Sequence, residues 1–178
     1  GTGVTIGIAG IATFRSGRID VGDSLYNTSI GEAAGDAYTT GSRSVAVGYN
    51  ALSQATTGAY NSGVGMQALD ATTTGNYNTA FGAYALAGNT TADANTAIGG
   101  RAMITNTTGG YNTAVGDQAL EANTTASENT AVGYFALTAN TTGTVNTAVG
   151  SQALATNTTG GYNVAIGREA LKANTTAS

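Results

Sequence analysis

An unbroken 17-residue period constrains this chain more than any other property it has. A glycine closes an apolar triplet at Gly31, Gly48, Gly65, Gly82, Gly99, Gly116, Gly133, Gly150 and Gly167, with no insertion or deletion between them. Counted from the residue four places earlier, the unit reads Asn-Thr-Ala-Val-Gly-x-x-Ala-Leu-x-Ala-Asn-Thr-Thr-Gly-x-Tyr, and its positions are numbered as columns 1 to 17. Asn fills column 1 in eight of nine copies, with Ser44 the exception. Column 4 is always apolar, column 8 is always Ala, and Thr-Thr recurs at columns 13 and 14 in every copy. Column 9 is Leu in seven copies, with Met103 and Gly35 as substitutes. Columns 6 and 7 vary freely, as Tyr49-Asn50, Asp117-Gln118, Tyr134-Phe135 and Arg168-Glu169 show. Restricted columns are expected to face a packed neighbour, and free ones solvent or a partner.

The period selects the architecture. Helical repeats need about 33 to 47 residues per unit, and recurrent Gly and Thr-Thr exclude one long helix. An all-β repetitive β-solenoid or β-roll fits, with each unit forming one coil and equivalent residues stacked about 4.8 Å apart. Asn-Thr-Ala-Val is expected to be a first strand and Gly-x-x a turn. Ala-Leu-x-Ala is expected to be a second strand, with a helical turn as the alternative. Asn-Thr-Thr-Gly then returns the chain, with Gly58, Gly75 or Gly109 supplying positive φ. Stacked Asn side chains bond along the axis as in cross-β ladders, and the absence of Pro suits a stack in which every coil donates backbone bonds.

Two regions follow. Residues 25–178 form the nine-copy array, expected to continue beyond Ser178, which stops in mid-unit. Residues 1–24 lie outside the repeat and read as a β-rich lead-in or neck, with Val4, Ile6 and Ile8 alternating before Phe14 and Ile19-Asp20-Val21. Gly1 stands where an initiator Met would, so a processed chain or an excerpt is expected.

Composition narrows the chemistry. The chain has no His and no Cys, which removes imidazole and thiol catalysis and the ordinary zinc and haem ligands. No catalytic residue, metal or cofactor is expected, and the chain is not expected to be an enzyme. Net charge is −4, which argues against nucleic acid as a partner. No run reaches the roughly 20 apolar residues of a membrane helix, so no membrane insertion is expected. Asp20, Asp23, Glu32 and Asp36 cluster near the start of the array but lack EF-hand spacing. Asp117, Glu121 and Glu169 sit in variable columns, where a stack offers ridges rather than the cleft an acid–base pair needs. Asn89, Asn106, Asn123, Asn140, Asn157 and Asn174 match the glycosylation sequon, but their single shared column is better explained as a structural ladder.

Interaction is the remaining theme. In a strand, neighbouring side chains point to opposite faces, so restriction of both residues in Ala-Val and Ala-Leu implies one face in the coil and one against another chain. A heterologous ring, a homotrimer, is expected. Tyr60, Tyr77, Tyr111 and Tyr162 share column 17 and suggest aromatic packing between coils or chains, with sugar stacking as the alternative. The candidate partner contacts are Tyr49, Met66, Tyr84, Tyr134 and Phe135, all in free columns. A regular Thr array also admits ice binding, with at most one of the two Thr columns exposed.

The segments NTAVGDQALEANTT (112–125) and NTAVGSQALATNTTGGYN (146–163) resemble the repeats of bacteriophage tail-fibre proteins. The Asn-x-Ala-Val/Ile-Gly core is also similar to the head repeats of trimeric autotransporter adhesins, whose period is shorter. The resemblance spans residues 27–178 and implies a trimeric fibre that presents or spaces a receptor-binding part. The expected function is a structural fibre segment of a phage tail fibre or virion surface, a rigid spacer able to contact a host cell-surface glycan or protein. A bacterial trimeric surface adhesin or extracellular filament is the alternative, and an ice-binding solenoid the third. The expected location is the virion or the extracellular face of a cell.

Overall fold

The structure is a computed structural model, and it describes residues 24–178. The lead-in expected over residues 1–24, with Asp20 and Asp23, lies outside the described residues apart from Ser24. Among the described residues the chain is all-β, a solenoid of nine short parallel strands and no helix. The strands are β1 (Thr28–Ile30), β2 (Val45–Val47), β3 (Ser62–Val64), β4 (Thr79–Phe81), β5 (Thr96–Ile98), β6 (Thr113–Val115), β7 (Thr130–Val132), β8 (Thr147–Val149) and β9 (Val164–Ile166). Each pairs with the next in strict register, Ala97 on Ala114 on Ala131, so every column of the sequence is a physical column in space.

Each coil holds one strand, not two. The expected strand at Ala-Leu-x-Ala is instead a tight turn, because columns 7 and 9 both adopt left-handed backbone: Gln118 at φ 56° and Leu120 at φ 51°, repeated coil after coil. Alternation of side chains therefore stops there, and Ala119 and Leu120 are both fully buried within the same chain. Ala and Leu, expected to face opposite ways, therefore both face inward. Ala and Val do face opposite ways: Ala114 points into the coil, while Val115 points out and stays half-exposed.

The core is narrow. Column 3 contributes Ala, except at Gly63, column 8 contributes Ala and column 9 contributes Leu or Met103, stacked from Ala34 to Ala165. The rest of the interior is amide. In column 1, Asn112 donates its backbone N–H (2.9 Å) and Nδ2 (3.1 Å) to Asn95 Oδ1, and Nδ2 also reaches Ala126 O at 2.9 Å. In column 12, Asn123 Nδ2 donates to Asn106 Oδ1 (2.8 Å) and to the same Ala126 O (3.1 Å). From Ala92 onward two ladders thus meet on one carbonyl per coil, the first three coils carrying Tyr38, Ala55 and Thr72 in column 12. Each buried amide is satisfied, which removes the desolvation cost such a group would otherwise carry. Ser44, the exception in column 1, keeps the ladder: its N–H donates to Asn27 Oδ1 (2.9 Å), and its Oγ accepts from Asn61 N–H (3.1 Å).

Two small-residue columns follow from the stack. Gly116 has φ 137°, and a Cβ there would lie 2.5 Å from Gly133 O in the next coil. A glycine is required on both counts. Column 15 differs from expectation. Gly58, Gly75 and Gly109 do not take positive φ, and the left-handed residue of the return turn is column 17, with Tyr60 and Tyr77 both at φ 59°. Small size is favoured at column 15 because the next carbonyl and an Asn amide crowd it; a Cβ on Gly109 would meet Ala126 O at 2.2 Å and Asn106 Oδ1 at 2.8 Å.

Asn112→Ala removes a donor to Ala126 O and an acceptor for both Asn129 donors. It should destabilise the array by about 1–3 kcal/mol, read as a lower denaturant midpoint. Asn112→Asp should cost more, since a carboxylate would be buried facing Ala126 O and Asn95 Oδ1. An Asp variant as stable as wild type would remove the amide ladder from the account of the fold.

Candidate functional site

Once the core columns are subtracted, three kinds of surface remain. Columns 13 and 14 both carry Thr, but the structure uses them differently. Column 13 hydroxyls donate to the carbonyl of the same column one coil on, as Thr124 Oγ1 does to Thr141 O at 3.2 Å. Column 14 is exposed in all nine coils, from Thr40 to Thr176. As expected, at most one Thr column faces outward.

Column 4 is the second surface. Every residue in it is apolar and none is buried: Ile30 is 50% exposed and Phe81 56%, with Val115, Val132 and Val149 half-buried between their neighbours. Column 4 alone makes an apolar stripe about 38 Å long over eight inter-coil steps, flanked on the same outward strand face by column 2, which is Thr or Ser except at Val45 and Val164. Column 4 is absent from the candidates chosen in the sequence. Its unbroken apolar character was the available signal, but that alone does not say whether Ala or Val faces inward.

The third surface is aromatic. Of the sequence candidates, Tyr49, Met66 and Tyr134 are exposed in column 6, and Tyr84 and Phe135 are half-buried in column 7. They form two groups. Tyr49, Met66 and Tyr84 lie on three successive coils, whereas Tyr134 and Phe135 pack edge to face, with centroids 4.3 Å apart, three coils further on. Column 17 is the more ordered ladder. Tyr60 and Tyr77 stack with centroids 4.9 Å apart and planes 8° from parallel. Arg43 sits below them, its guanidinium 5.6 Å from the Tyr26 ring and 5.5 Å from the Tyr60 ring. Tyr60 and Tyr77 therefore pack between coils within one chain, whereas Tyr111 and Tyr162 stand largely exposed.

The carboxylates are surface network. Glu121 takes Arg101 at 2.7 Å and Gln118 Nε2 at 2.8 Å, so it does not pair with Asp117 as an acid and base would. Asp70 accepts from Ser53 and from Gln67 Nε2. Glu169 lies between Arg168 (3.2 Å) and Lys172 (3.8 Å). Glu32 and Asp36 belong to no group of three metal-ligating side chains among the described residues. The sequon asparagines Asn89, Asn106, Asn123, Asn140 and Asn157 are fully buried in the column 12 ladder, the structural role expected of them. Among the described residues no helix is long and apolar enough to cross a membrane. No family model, curated protein or solved structure matches this chain.

Arg43→Ala uncovers two ring faces and should lower stability by about 0.5–1 kcal/mol per lost contact. Arg43→Lys should recover only part of this, because a point charge covers less of each ring than a planar group does. Paired thermal melts of the two variants measure the difference, and equal melts would assign the effect to charge alone.

Proposed function

We propose that residues 25–178 form a structural fibre segment, a stiff spacer in a phage tail fibre or virion surface, built from three copies of the chain. The observation that carries this is restriction without burial. Inward packing, amide bonding and coil stacking account for columns 1, 3, 5, 8, 9, 12 and 13 within one chain. They do not account for column 4, apolar in nine copies and half-exposed, or column 14, Thr in nine copies and exposed. Further copies laid parallel to the solenoid axis would cover column 4 along its full length and supply the missing reason for its character. A ring of such copies closes on itself, and the tail-fibre-like repeats favour three. The free columns, including Tyr49, Met66, Tyr84, Tyr134 and Phe135, then face outward toward a host cell-surface glycan or protein. A bacterial adhesin or extracellular filament of the same build is separated from this reading by the full-length protein's C-terminus, a self-cleaving chaperone in one case and a β-barrel anchor in the other.

Ice binding is the second reading, favoured by the single exposed Thr rank of column 14. It ranks below the fibre because a lone rank gives ice a line rather than a plane. Thermal hysteresis at micromolar protein would raise it.

Light scattering should give a particle near three times the 17.4 kDa chain mass. Val115→Asp with Val132→Asp should reduce that mass to one chain while the β-rich circular dichroism persists. A wild-type monomer at micromolar concentration would overturn the trimeric fibre.

A further inference from the structure

Column 17 contains two aromatic–x–aromatic steps of equal length. In the first, Tyr26 and Tyr60 lie two coils apart and the guanidinium of Arg43 fills the space between them, 5.6 and 5.5 Å from the two centroids. In the second, Tyr77 and Tyr111 are also two coils apart, but the residue between them is Ala94. All six residues share one left-handed conformation, φ 57–66°, so their Cα–Cβ bonds leave the coil in the same direction. The backbone positions of Tyr77 and Tyr111 are about 9.6 Å apart along the axis, and the side chain between them is only the methyl group of Ala94. Exposure follows the covering. Tyr60, flanked by Arg43 and Tyr77, is 44% exposed, whereas Tyr77, stacked only on Tyr60, is 62% exposed. Asp93 precedes Ala94 in the chain and leans onto Asn76, the chain neighbour of Tyr77. Its Oδ1 accepts from Asn76 N–H at 2.6 Å and Asn76 Nδ2 at 3.2 Å, and its Oδ2 accepts nothing among the described residues.

We propose that the Tyr77–Ala94–Tyr111 step is a binding slot for an arginine side chain of another polypeptide. The chain supplies its own template, since the equivalent step is filled by a guanidinium lying between two ring faces. A planar cation gains from both quadrupoles at once, and the free oxygen of Asp93 selects positive charge over a neutral ring. A sugar would meet the same faces but leave that carboxylate without a counter-charge. The slot rests on one chain's geometry and does not depend on the assembly proposed above.

The test is titration of the full chain with acetyl-Gly-Arg-Gly-amide, followed by the ring-proton resonances of Tyr77 and Tyr111, with Tyr162 as internal control. Saturable millimolar binding confined to Tyr77 and Tyr111 is expected. Tyr77→Ala should weaken it about fivefold and Asp93→Asn about threefold. Ala94→Arg, which fills the slot from within, should abolish it while leaving the circular dichroism unchanged. Equal or stronger shifts from the matching lysine peptide or from methyl glucoside would overturn the assignment. So would binding that survives Ala94→Arg, or no shift at tens of millimolar peptide.

Discussion

Hydrogen bonding along the solenoid axis is the interaction on which the rest of this structure depends. Successive coils are joined by strand pairing over three residues only, too few to hold a stack alone. The other bonds come from turns and side chains. Gln118 N–H donates back to Gly100 O and Leu120 N–H forward to Ala136 O, each at 3.0 Å, and two asparagine ladders run through the interior. These bonds require identical groups at identical heights. A one-residue insertion in any coil would set its Asn off the ladder and place a side chain where Gly116 and its equivalents meet the next carbonyl, so the 17-residue period admits no slack.

The same bonds support a backbone that short peptides would avoid. Twenty-six described non-glycine residues have positive φ, all of them in columns 7, 9 and 17, and each such conformation costs on the order of 1 kcal/mol. Leucine is an unusual residue to find there. It is held because its side chain fills the centre of a core otherwise made of alanine, and its N–H is engaged by the neighbouring coil. Strain in the turn and burial of the leucine are therefore one device: the reversal at columns 7 to 9 turns Ala and Leu inward together, which an extended strand would not do.

Outside the core, the repeat divides into columns explained by one chain and columns that are not. The hydroxyl of column 13 is spent on a neighbouring carbonyl, whereas that of column 14, its sequence neighbour, faces outward. The alanine of column 3 is buried and the valine of column 4, on the opposite side of the same strand, is not. A single coil is too thin to bury both faces of its strand. A solenoid of this kind therefore carries apolar surface along its length unless something covers it.

Much of this was legible in the residues alone. The solenoid, its coil length, the column 1 amide ladder and the structural use of the sequon asparagines all follow from strict repetition, because identical residues at a fixed period must stack on themselves. The single strand per coil was not legible, since Ala-Leu-x-Ala has the composition of a strand and nothing in it announces left-handed leucine. Nor was the convergence of both ladders on the column 15 carbonyl, or the guanidinium between Tyr26 and Tyr60. Repetition along one axis is written in one dimension, so the sequence by itself determined what lies above and below each residue. Which side of the coil each column faces depends on how 17 residues close in the plane across that axis. Only the tertiary structure decided that, because closure is set by packing among columns distant in the chain.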